Sequence, residues 1–317
     1  MIGAYIQPSD ARATVEAIRR AEAQGVPAAW LTTSGVIPDA STILGAAAMV
    51  TDRILLGTSI IPTWPRHPLA IAQQAIALAS LAPGRVRVGI GPSHQPSMES
   101  VFGVEWRTPL TNLREYLTVI RTLLQTGGVR FNGRHVRASA EIAGPVDVPI
   151  LASALRLASF ATCGELSDGA ISWVCPWDYL RESALPAIRA GAQKARRPPP
   201  PLIAHIPVCL TEDRDTVLRV ARGFIGPRYG GLPFYASMFA EAGFGDTQSE
   251  ELSEALIDAL VVSGTDAEVQ SRLQQILAEG AGEIIAHPLY IDNDRDGYLS
   301  HFFDVLAAAN VGLPSRR

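Results

Sequence analysis

Short apolar, β-branched runs alternate along this chain with longer segments in which apolar residues recur every three to four positions. The first pattern predicts buried β-strands and the second predicts amphipathic helices. Their alternation is typical of parallel strands covered by helices. Eight strands are predicted, at residues 2–6, 28–32, 54–61, 86–91, 149–154, 169–174, 203–210 and 283–287.

Three of the predicted helices have clear ends, at residues 10–24, 68–81 and 111–125. The first ends at Gly25, the second before Pro83 and Gly84, and the third at Gly127 and Gly128, which are expected stop residues. No half of the chain resembles a separate domain, and most connections are short. These features favour an α/β fold of the (β/α)8 TIM-barrel class, formed as one domain by residues 1–317.

Two predicted connections are long and form insertions after strands four and seven. Residues 92–148 contain the helix 111–125 and a predicted hairpin around Asn132 and Gly133. Residues 211–282 include a stretch, 223–245, that is dense in glycine and aromatic residues. Long loops in a compact domain are usually functional. The aromatic side chains are therefore expected to cover the barrel mouth, or else to form a dimer interface: Phe224, Tyr229, Phe234 and Tyr235.

The composition excludes several classes of protein. With 47% hydrophobic and 18% charged residues, the chain has the content of an ordinary globular protein, and its net charge of −4 argues against nucleic acid as a partner. No apolar stretch of about 18 residues predicts a membrane span, and the first ten residues do not resemble a signal peptide. Three cysteines, an odd number, argue against a disulfide framework. We therefore expect a reducing, cytoplasmic location.

The active site of a barrel is built from residues that follow the C-terminal ends of the strands. Carboxylates are rare at these positions, so the paired acids of a glycoside hydrolase are not indicated. Metal ligands are few, no CxxC or HExxH motif is present, and the G-x-S-x-G elbow of serine hydrolases is missing. The residues at the strand ends are Gln7, 32–34, 58–61, 92–94, Ser153, Ala154, 175–177, Glu212, Asp213 and His287.

The stretch RVRVGIGPSHQP, residues 85–96, ends a predicted strand in a loop with His94 at its tip. Gly89 and Gly91 match half of the dinucleotide fingerprint G-x-G-x-x-G, but His94 stands where the third glycine belongs. Prolines at positions 92, 96 and 109 are expected to delay the next helix, which argues against that motif. A plain strand-to-loop turn is the other interpretation.

The predicted mouth offers hydroxyls, amides, aromatic and small residues, and one or two histidines. This lining suits an uncharged planar ring that brings its own reactivity, while the protein supplies orientation and hydrogen bonds. His94 would donate a proton or hold a ring carbonyl, or it is only a loop-tip residue bonded to the backbone. His205, inside strand seven, and His287, before Pro288, are interpreted as packing or capping residues.

Several stretches together resemble the bacterial-luciferase-like flavin and deazaflavin enzymes, and are most similar to the branch that uses coenzyme F420. The similarity covers essentially the whole chain in one order. The stretches that carry it are LLGTSIIPTWPRHPLAIAQQA (55–75), RVRVGIGPSHQP (85–96), LREYLTVIRTLL (113–124), CGELSDGAISWV (163–174), HIPVCLTED (205–213) and GGLPFYASMFAEAG (230–243).

The resemblance implies a barrel, usually dimeric, that binds an isoalloxazine or its deaza analogue at the C-terminal mouth. It places a non-prolyl cis peptide that supports the central ring at Ser59–Ile60. The loop after strand four would contact the ring edge and the ribityl chain. The residues that we predict to bind the cofactor are Gln7, Thr33, Thr58, Ser59, Ile60, Arg66, Gly91, Ser93, His94, Ser153, Ala154, Arg156, Cys175 and Trp177.

The chain departs from this family at three strand ends. Relatives usually have a G-P-R-like turn after strand five, but here Arg156 and Leu157 replace glycine and proline. After strand six, Cys175, Pro176 and Trp177 replace a small turn, and Trp177 is expected to obstruct a phosphate tail unless Arg156 compensates by pairing with the phosphate. Thr33 and Ser34 replace a polar residue frequent in relatives. One candidate proton donor is therefore missing, which favours His94 as the proton donor.

Three functions remain open from the sequence. The leading hypothesis is an oxidoreductase that uses reduced coenzyme F420 to transfer a hydride to an activated C=C, C=N or C=O bond of a small molecule, with His94 as the catalytic residue. The first alternative is an FMN-dependent monooxygenase of the same superfamily. The second is a barrel that has lost its cofactor and acts as a binding protein or as a cofactor-free lyase or cyclase. The expected partners are a small-molecule substrate and a second copy of the chain.

Overall fold

The computed structural model describes residues 1–245 and 252–313, and within them eight parallel strands close into a barrel. The barrel closes because β1 pairs with both β2 and β8, with Ala4 opposite Ala29 on one side and Ala286 on the other. The strands are β1 (Ile2–Tyr5), β2 (Ala28–Leu31), β3 (Leu55–Thr58), β4 (Val86–Gly91), β5 (Ile150–Ser153), β6 (Ala170–Trp173), β7 (Leu202–Cys209) and β8 (Glu283–Pro288). The predicted TIM-barrel fold is confirmed.

Helices cover the outside of the barrel. They are α1 (Ala11–Ala23), α2 (Ala40–Ala48), α3 (Pro68–Leu81), α4 (Gln95–Phe102), α5 (Pro109–Thr126), α6 (Leu157–Leu166), α7 (Trp177–Tyr179), α8 (Leu185–Lys194), α9 (Arg214–Ile225), α10 (Pro233–Glu241), α11 (Glu254–Leu260), α12 (Asp266–Ala278) and α13 (Arg295–Ala309). Their ends follow the signals in the sequence: the carboxylate of Asp10 caps α1, and Gly127, at φ +82°, ends α5.

The third strand differs from its prediction. Residues 54–61 were predicted as one strand, but β3 ends at Thr58, and Ile61–Pro62 forms a separate short strand that pairs with β4. Between the two segments lies a cis peptide bond, Ser59–Ile60. It lies at the position that the family resemblance implied.

The insertion after β4 contains one helix more than predicted. Prolines were expected to delay the next helix, but α4 begins at Gln95 with Pro96 in its first turn. This prediction was wrong because the first turn of a helix tolerates proline, whose missing N–H has no partner there. The predicted hairpin is present, as antiparallel strands Gly128–Asn132 and Arg137–Glu141. The Glu115 carboxylate of α5 accepts hydrogen bonds from the backbone N–H groups of residues 134–136 and so holds the turn.

The insertion after β7 is largely helical. Helix α9 continues into a π-helical turn, Gly226–Gly230, and α10 follows it. Residues 246–251 belong to this insertion but lie outside the described part of the chain. Beyond them come α11, a short strand Val262–Ser263 that pairs with β7, and α12.

The N-terminal end of the barrel is closed by polar pairs. Arg87 and Glu283 form an ion pair inside the barrel, where Glu283 is buried and Arg87 is partly buried. The side-chain amide of Asn310, at the end of α13, exchanges two hydrogen bonds with the backbone of Ile2, both of 2.9 Å. The opposite, C-terminal end is the one at which the candidate site lies.

Candidate active site

One half of the barrel mouth is lined by four rings, those of Tyr5, Trp173, His205 and His287. Tyr5 stacks on His287 with ring centroids 4.2 Å apart, because β1 and β8 are neighbouring strands. Trp173 lies 4.2 Å from His205 and 4.8 Å from His287, again between ring centroids. Strands β6, β7, β8 and β1 therefore contribute one continuous aromatic wall.

The two histidines of this wall are hydrogen-bonded to each other. Nε2 of His205 and Nδ1 of His287 are 3.3 Å apart, and both residues are buried. Burial lowers the pKa of His287 to about 3, and burial together with the neighbouring His287 lowers the pKa of His205 well below its usual value. Both rings are therefore neutral at pH 7.

The sequence had led us to interpret these histidines as packing or capping residues, and it did not single out Tyr5 or Trp173. The signal that could have found the histidines is their position. His205 lies two residues after Ile203, and His287 lies two residues after Ile285, so each continues the inward face of its strand. A polar ring at an inward position near a strand's C-terminal end belongs to the mouth of a barrel.

The other half of the mouth is lined by small side chains. Ile60 and Ser153 lie so close to Gly91 that a Cβ atom there would be 3.2 Å from Cγ1 of Ile60 and 2.1 Å from Oγ of Ser153. The end of β2 holds the Ser59–Ile60 peptide: the Thr32 hydroxyl donates to the Ser59 carbonyl, and the Thr33 N–H donates to the Ile60 carbonyl. The Ser59 hydroxyl is buried and has no hydrogen-bond partner among the described residues.

Three of the predicted cofactor-binding side chains are occupied by the protein itself. The Thr58 hydroxyl donates to the Gly89 carbonyl and accepts from the Gly89 N–H. The Thr33 hydroxyl accepts from the N–H of Ala40, at the start of α2. The Arg66 guanidinium pairs with Asp39 at 3.0 Å.

Gln7 lies exposed after β1. It and the three occupied side chains lie around the mouth, and none of the four contributes to the aromatic wall.

His94 lies at the rim of the small-residue half. The preceding Ser93 has a φ of +55°, and His94 occupies the N-cap position of α4 without capping it through its side chain. Its ring makes no hydrogen bond with any residue of the described ranges, so the interpretation as a loop-tip residue bonded to the backbone is not supported. Burial lowers the pKa of His94 to about 4, which leaves the imidazole neutral at pH 7.

The aromatic insertion lies over this mouth, which confirms the prediction that it covers it. Tyr229, in the π-helical turn, and Tyr235, in α10, both lie 5.7 Å from His94 between ring centroids. Tyr229 also contacts Trp173, at 5.9 Å, and Phe224 contacts His287, at 4.9 Å. The insertion thus bridges the two halves of the mouth.

Arg156 stands just before α6, next to the end of β5. The Ser159 hydroxyl accepts from the Arg156 N–H and donates to the Arg156 carbonyl, which fixes the start of the helix. The guanidinium of Arg156 forms an ion pair with Glu241, the last residue of α10, and both side chains are partly exposed. The one cation predicted for a phosphate group is therefore held by the covering insertion.

Cys175 and Trp177 follow the end of β6 and are buried. The Cys175 thiol donates to the Trp173 carbonyl, which also accepts from the hydroxyl of Tyr235. The Trp177 Nε1–H donates to Glu279. Cys175 and Trp177 line a cavity of about 240 Å³ formed with α11 and α12. Burial raises the pKa of the Cys175 thiol to about 12, so this group stays protonated. The obstruction of a phosphate tail by Trp177 stays a prediction.

No group of three or more His, Cys, Asp and Glu side chains among residues 1–245 and 252–313 is arranged to hold a metal ion. In the same ranges no helix is both long enough and apolar enough to cross a membrane.

Comparison with known proteins identifies the class to which this barrel and mouth belong. The family model for luciferase-like monooxygenases matches residues 2–283. The chain therefore belongs to the luciferase-like monooxygenase family, as the resemblance implied, and it is an oxidoreductase.

Individual relatives point to a deazaflavin or flavin cofactor. An F420-dependent glucose-6-phosphate dehydrogenase from Beutenbergia cavernae is 35% identical over 179 residues, which cover 53% of this chain and 52% of the relative. The chain is 28% identical over 286 residues to 5,10-methylenetetrahydromethanopterin reductase from Methanolobus tindarius, covering 84% of this chain and 87% of the relative.

Two solved structures share the fold. One is an F420-dependent secondary alcohol dehydrogenase in complex with an F420–acetone adduct (TM-score 0.80, 18% identity, 98% of each chain covered). The other is the FMN-bound oxygenating constituent of 3,6-diketocamphane monooxygenase from Pseudomonas putida (TM-score 0.72, 16% identity, 99% of each chain).

Proposed function

We propose that this protein is an oxidoreductase that uses reduced coenzyme F420 to transfer a hydride to an activated C=C, C=N or C=O bond of a small organic molecule. The observation that carries the proposal is the mostly neutral lining of the mouth: its histidines are neutral, and the side chains of its two halves are aromatic, small or hydroxylic. Charged groups near it include the ion pairs Arg66–Asp39 and Arg156–Glu241 and the Arg228 guanidinium, which lies over Phe224. A mostly neutral lining orients a ring that supplies its own reactivity. The structural similarity to an F420-dependent secondary alcohol dehydrogenase supports this choice.

The residues present fit a planar ring. The Ser59–Ile60 peptide and Gly91 would lie against its face, and the unpartnered Ser59 hydroxyl is free to donate a hydrogen bond to it. Ser93 and His94 would lie at the ring edge. When bound, the reduced cofactor supplies the hydride; the chain's own task is to orient the acceptor, exclude water and polarise the acceptor's heteroatom.

The phosphate of such a cofactor would lie at the start of α6, beyond Ser153 and Ala154. The N–H groups of Leu157 and Ala158, in the first turn of α6, make no hydrogen bond within the described residues, and helix N-termini attract anions. Arg156 is adjacent, but Glu241 holds it. Arg156 would therefore have to leave Glu241 in order to pair with the phosphate.

The role of His94 follows from its charge. A histidine with a pKa of about 4 is almost entirely neutral at pH 7, so it polarises a carbonyl or imine by donating a hydrogen bond more readily than it gives up a proton. We propose this electrophilic role for His94, in place of the proton donor favoured by the sequence.

Cofactor binding tests the proposal directly. Titration of the purified protein into F420 should quench or shift the cofactor's fluorescence with a dissociation constant on the order of micromolar. FMN and FAD, titrated in parallel, should bind at least about tenfold more weakly. The absence of any change up to about millimolar F420 would contradict the proposal.

The second candidate is an FMN-dependent monooxygenase, favoured by the structural similarity to an FMN-bound monooxygenase. Tight retention of FMN in the purified protein, with oxygen consumed when the flavin is reduced, would support this candidate over the first. Membership of an enzyme family argues against a binding protein. A cofactor-free lyase or cyclase is the third candidate, motivated by Arg156, Leu157 and Trp177 in place of the turns usual in the family.

We also propose that the chain is a single-domain, cytoplasmic protein and forms a homodimer. Light scattering on the purified protein should give twice the mass of one chain, whose value is 33.8 kDa. A mass equal to that of one chain would contradict the proposed homodimer.

A further inference from the structure

The hydrogen-bonded pair of His205 and His287 is the buried polar group in the mouth that neither the cofactor nor His94 accounts for. Tyr5 stacks on one side of His287, with an interplanar angle of 13°, and Trp173 packs against both imidazoles. Phe224 of the covering insertion lies 4.9 Å from His287 between ring centroids. The pair is therefore enclosed by rings, and the insertion lies over His287.

The number of N–H protons on the two imidazoles limits the hydrogen bonds that the pair can make with a ligand. Each neutral imidazole carries one N–H donor and one bare nitrogen acceptor. The contact between His205 Nε2 and His287 Nδ1 uses one of each, so one donor and one acceptor remain at the two outer nitrogens. No hydrogen bond joins either outer nitrogen to another residue within 1–245 or 252–313. A buried polar group without a partner costs stability, and such a group in a cleft is a candidate for contact with a ligand.

The register of the strands shows which histidine lies nearer the mouth. His205 pairs with Ile285 on β8, and His287 pairs with Pro207 on β7, two residues further toward the C-terminal ends. Below His205 the barrel interior is apolar, with Ile203, Ile285, Ile171 and Leu151 in one cluster. An acceptor without a partner is tolerated better in such surroundings than an orphan N–H. This favours the arrangement in which His205 donates to His287 and the free N–H is Nε2 of His287.

We propose that His287, through Nε2–H, donates a hydrogen bond to the reacting oxygen or nitrogen of a small carbonyl or imine substrate, and that His205 is a positioning residue that sets the tautomer of His287. This inference rests on the proposed function and names the substrate class of the same site. His287 and His94 would then contact the acceptor from the two halves of the mouth. Both histidines stay neutral, because they only donate hydrogen bonds to the heteroatom that becomes negative when the hydride adds to the carbon. The proton that completes the alcohol or amine then comes from solvent water.

Variants of similar size separate hydrogen bonding from packing. His287→Phe keeps a planar ring but removes both nitrogens, and His287→Asn retains an amide only near the Nδ1 position. His287→Gln can place an amide N–H near Nε2. Loss of one donor to a developing negative oxygen lowers kcat by about 100-fold, so we expect that loss for the first two variants and less than about a tenfold loss for His287→Gln.

The matched pair at position 205 tests the positioning role. His205→Gln can still donate toward Nδ1 of His287, whereas His205→Phe cannot. We expect His205→Phe to lower kcat with little change in KM, and His205→Gln to restore most of it. Full activity in both Phe variants would overturn the inference and show that the pair only fills space. An apolar ring of similar size can replace a buried polar pair without loss of function when the pair contributes only packing.

A measurement without the cofactor distinguishes failure of this inference from failure of the proposed function. In uniformly ¹⁵N-labelled protein, the imidazole nitrogen shifts should show the proton of His287 on Nε2. Cyclohexanone, added to about 10 mM as the probe, should shift that resonance in the wild type and not in His205→Phe. A proton on Nδ1, or a His287 resonance that cyclohexanone leaves unmoved, would overturn the inference even if F420 binds. If cyclohexanone shifts the His287 resonance in a protein that binds no F420, the inferred carbonyl site stands and the proposed cofactor is wrong.

Discussion

The two halves of the barrel mouth differ in the size and polarity of the side chains that line them. On one side Gly89, Gly91 and Ser153 are small because neighbouring atoms already occupy the space: a Cβ atom on Gly89 would lie 2.1 Å from the Thr58 carbonyl oxygen. On the other side, large rings fill the space and carry polar nitrogens. The glycines that first suggested a nucleotide-binding loop are therefore required by barrel packing, whereas the polar nitrogens belong to His205 and His287, which the sequence had led us to interpret as packing or capping residues.

The largest expected effect comes from the small-residue half. Gly89→Ala should destabilise the fold by more than about 3 kcal/mol, because the added methyl meets backbone, which cannot rotate away. Gly144→Ala is the matched control, since nothing lies within 4 Å of its added Cβ and its backbone is not left-handed. Urea unfolding followed by circular dichroism measures both. Equal stability of the two variants would contradict the close packing of β4 against β3.

The ring half should make stability depend on pH. His287 has a folded pKa of about 3, below the unfolded value of 6.5, so the unfolded chain takes up the proton first as the pH falls. The contribution is fully present above about pH 6.5 and declines as the pH falls toward 3. Between pH 7 and pH 5 the free energy of unfolding should fall by about 2 kcal/mol from His287 alone.

Urea titrations of the wild type and of His287→Phe at pH 7 and pH 5 test this dependence. The variant should lose less stability than the wild type over the same interval, because it cannot take up that proton when it unfolds. The same fall in both proteins would mean that the pair is already protonated or solvated in the folded state.

A smaller effect is expected at the rim between the two halves. His94→Ala should leave the melting temperature within a few degrees and lower turnover at least about tenfold, near the lower end for groups that act on the reacting atoms. F420 affinity measured by fluorescence separates a lost contact with the cofactor from a lost contact with the acceptor. Full activity in His94→Ala would mean that His94 does not polarise the acceptor and that only the ring half of the mouth does so.

The smallest effect should come from Gly91, whose nearest contact is the far end of a side chain. Gly91→Ala should cost about 1 kcal/mol, because the Ser153 hydroxyl can rotate away. Ser153→Gly removes the two nearest contacting atoms and leaves Cγ1 of Ile60 at 3.2 Å, so the double variant should recover most of that loss. If the loss of stability in the double variant equals the sum of the losses in the two single variants, Gly91 and Ser153 do not interact.

Much of the barrel could be predicted because its signals are local. The strand Val86–Gly91 and the helix Pro68–Leu81 have the predicted bounds, since apolar runs and stop residues act within a few positions. Helix α4 was missed because proline in a first turn reads as a breaker. The break in the third strand followed from the family resemblance and not from the hydrophobic pattern, which runs through it.

The candidate site was less predictable, since contacts across the barrel decide it. The sequence pointed to His94 and to the covering role of the aromatic insertion, because both lie in segments with unusual composition. It could not show that Glu241 would pair with Arg156, that Trp177 would turn toward Glu279, or that Thr58 would bond to Gly89. Each of these partners lies 31 or more residues away along the chain.

The sequence by itself determined the alternation of strands and helices, the family and the mostly neutral character of the mouth, because these depend on residue types and their local order. Only the tertiary structure decided which side chains meet. His205 and His287 are 82 residues apart, yet closure of the barrel brings their nitrogens to within 3.3 Å. Burial then keeps both rings neutral, and burial is a property of the closed barrel that no single strand carries.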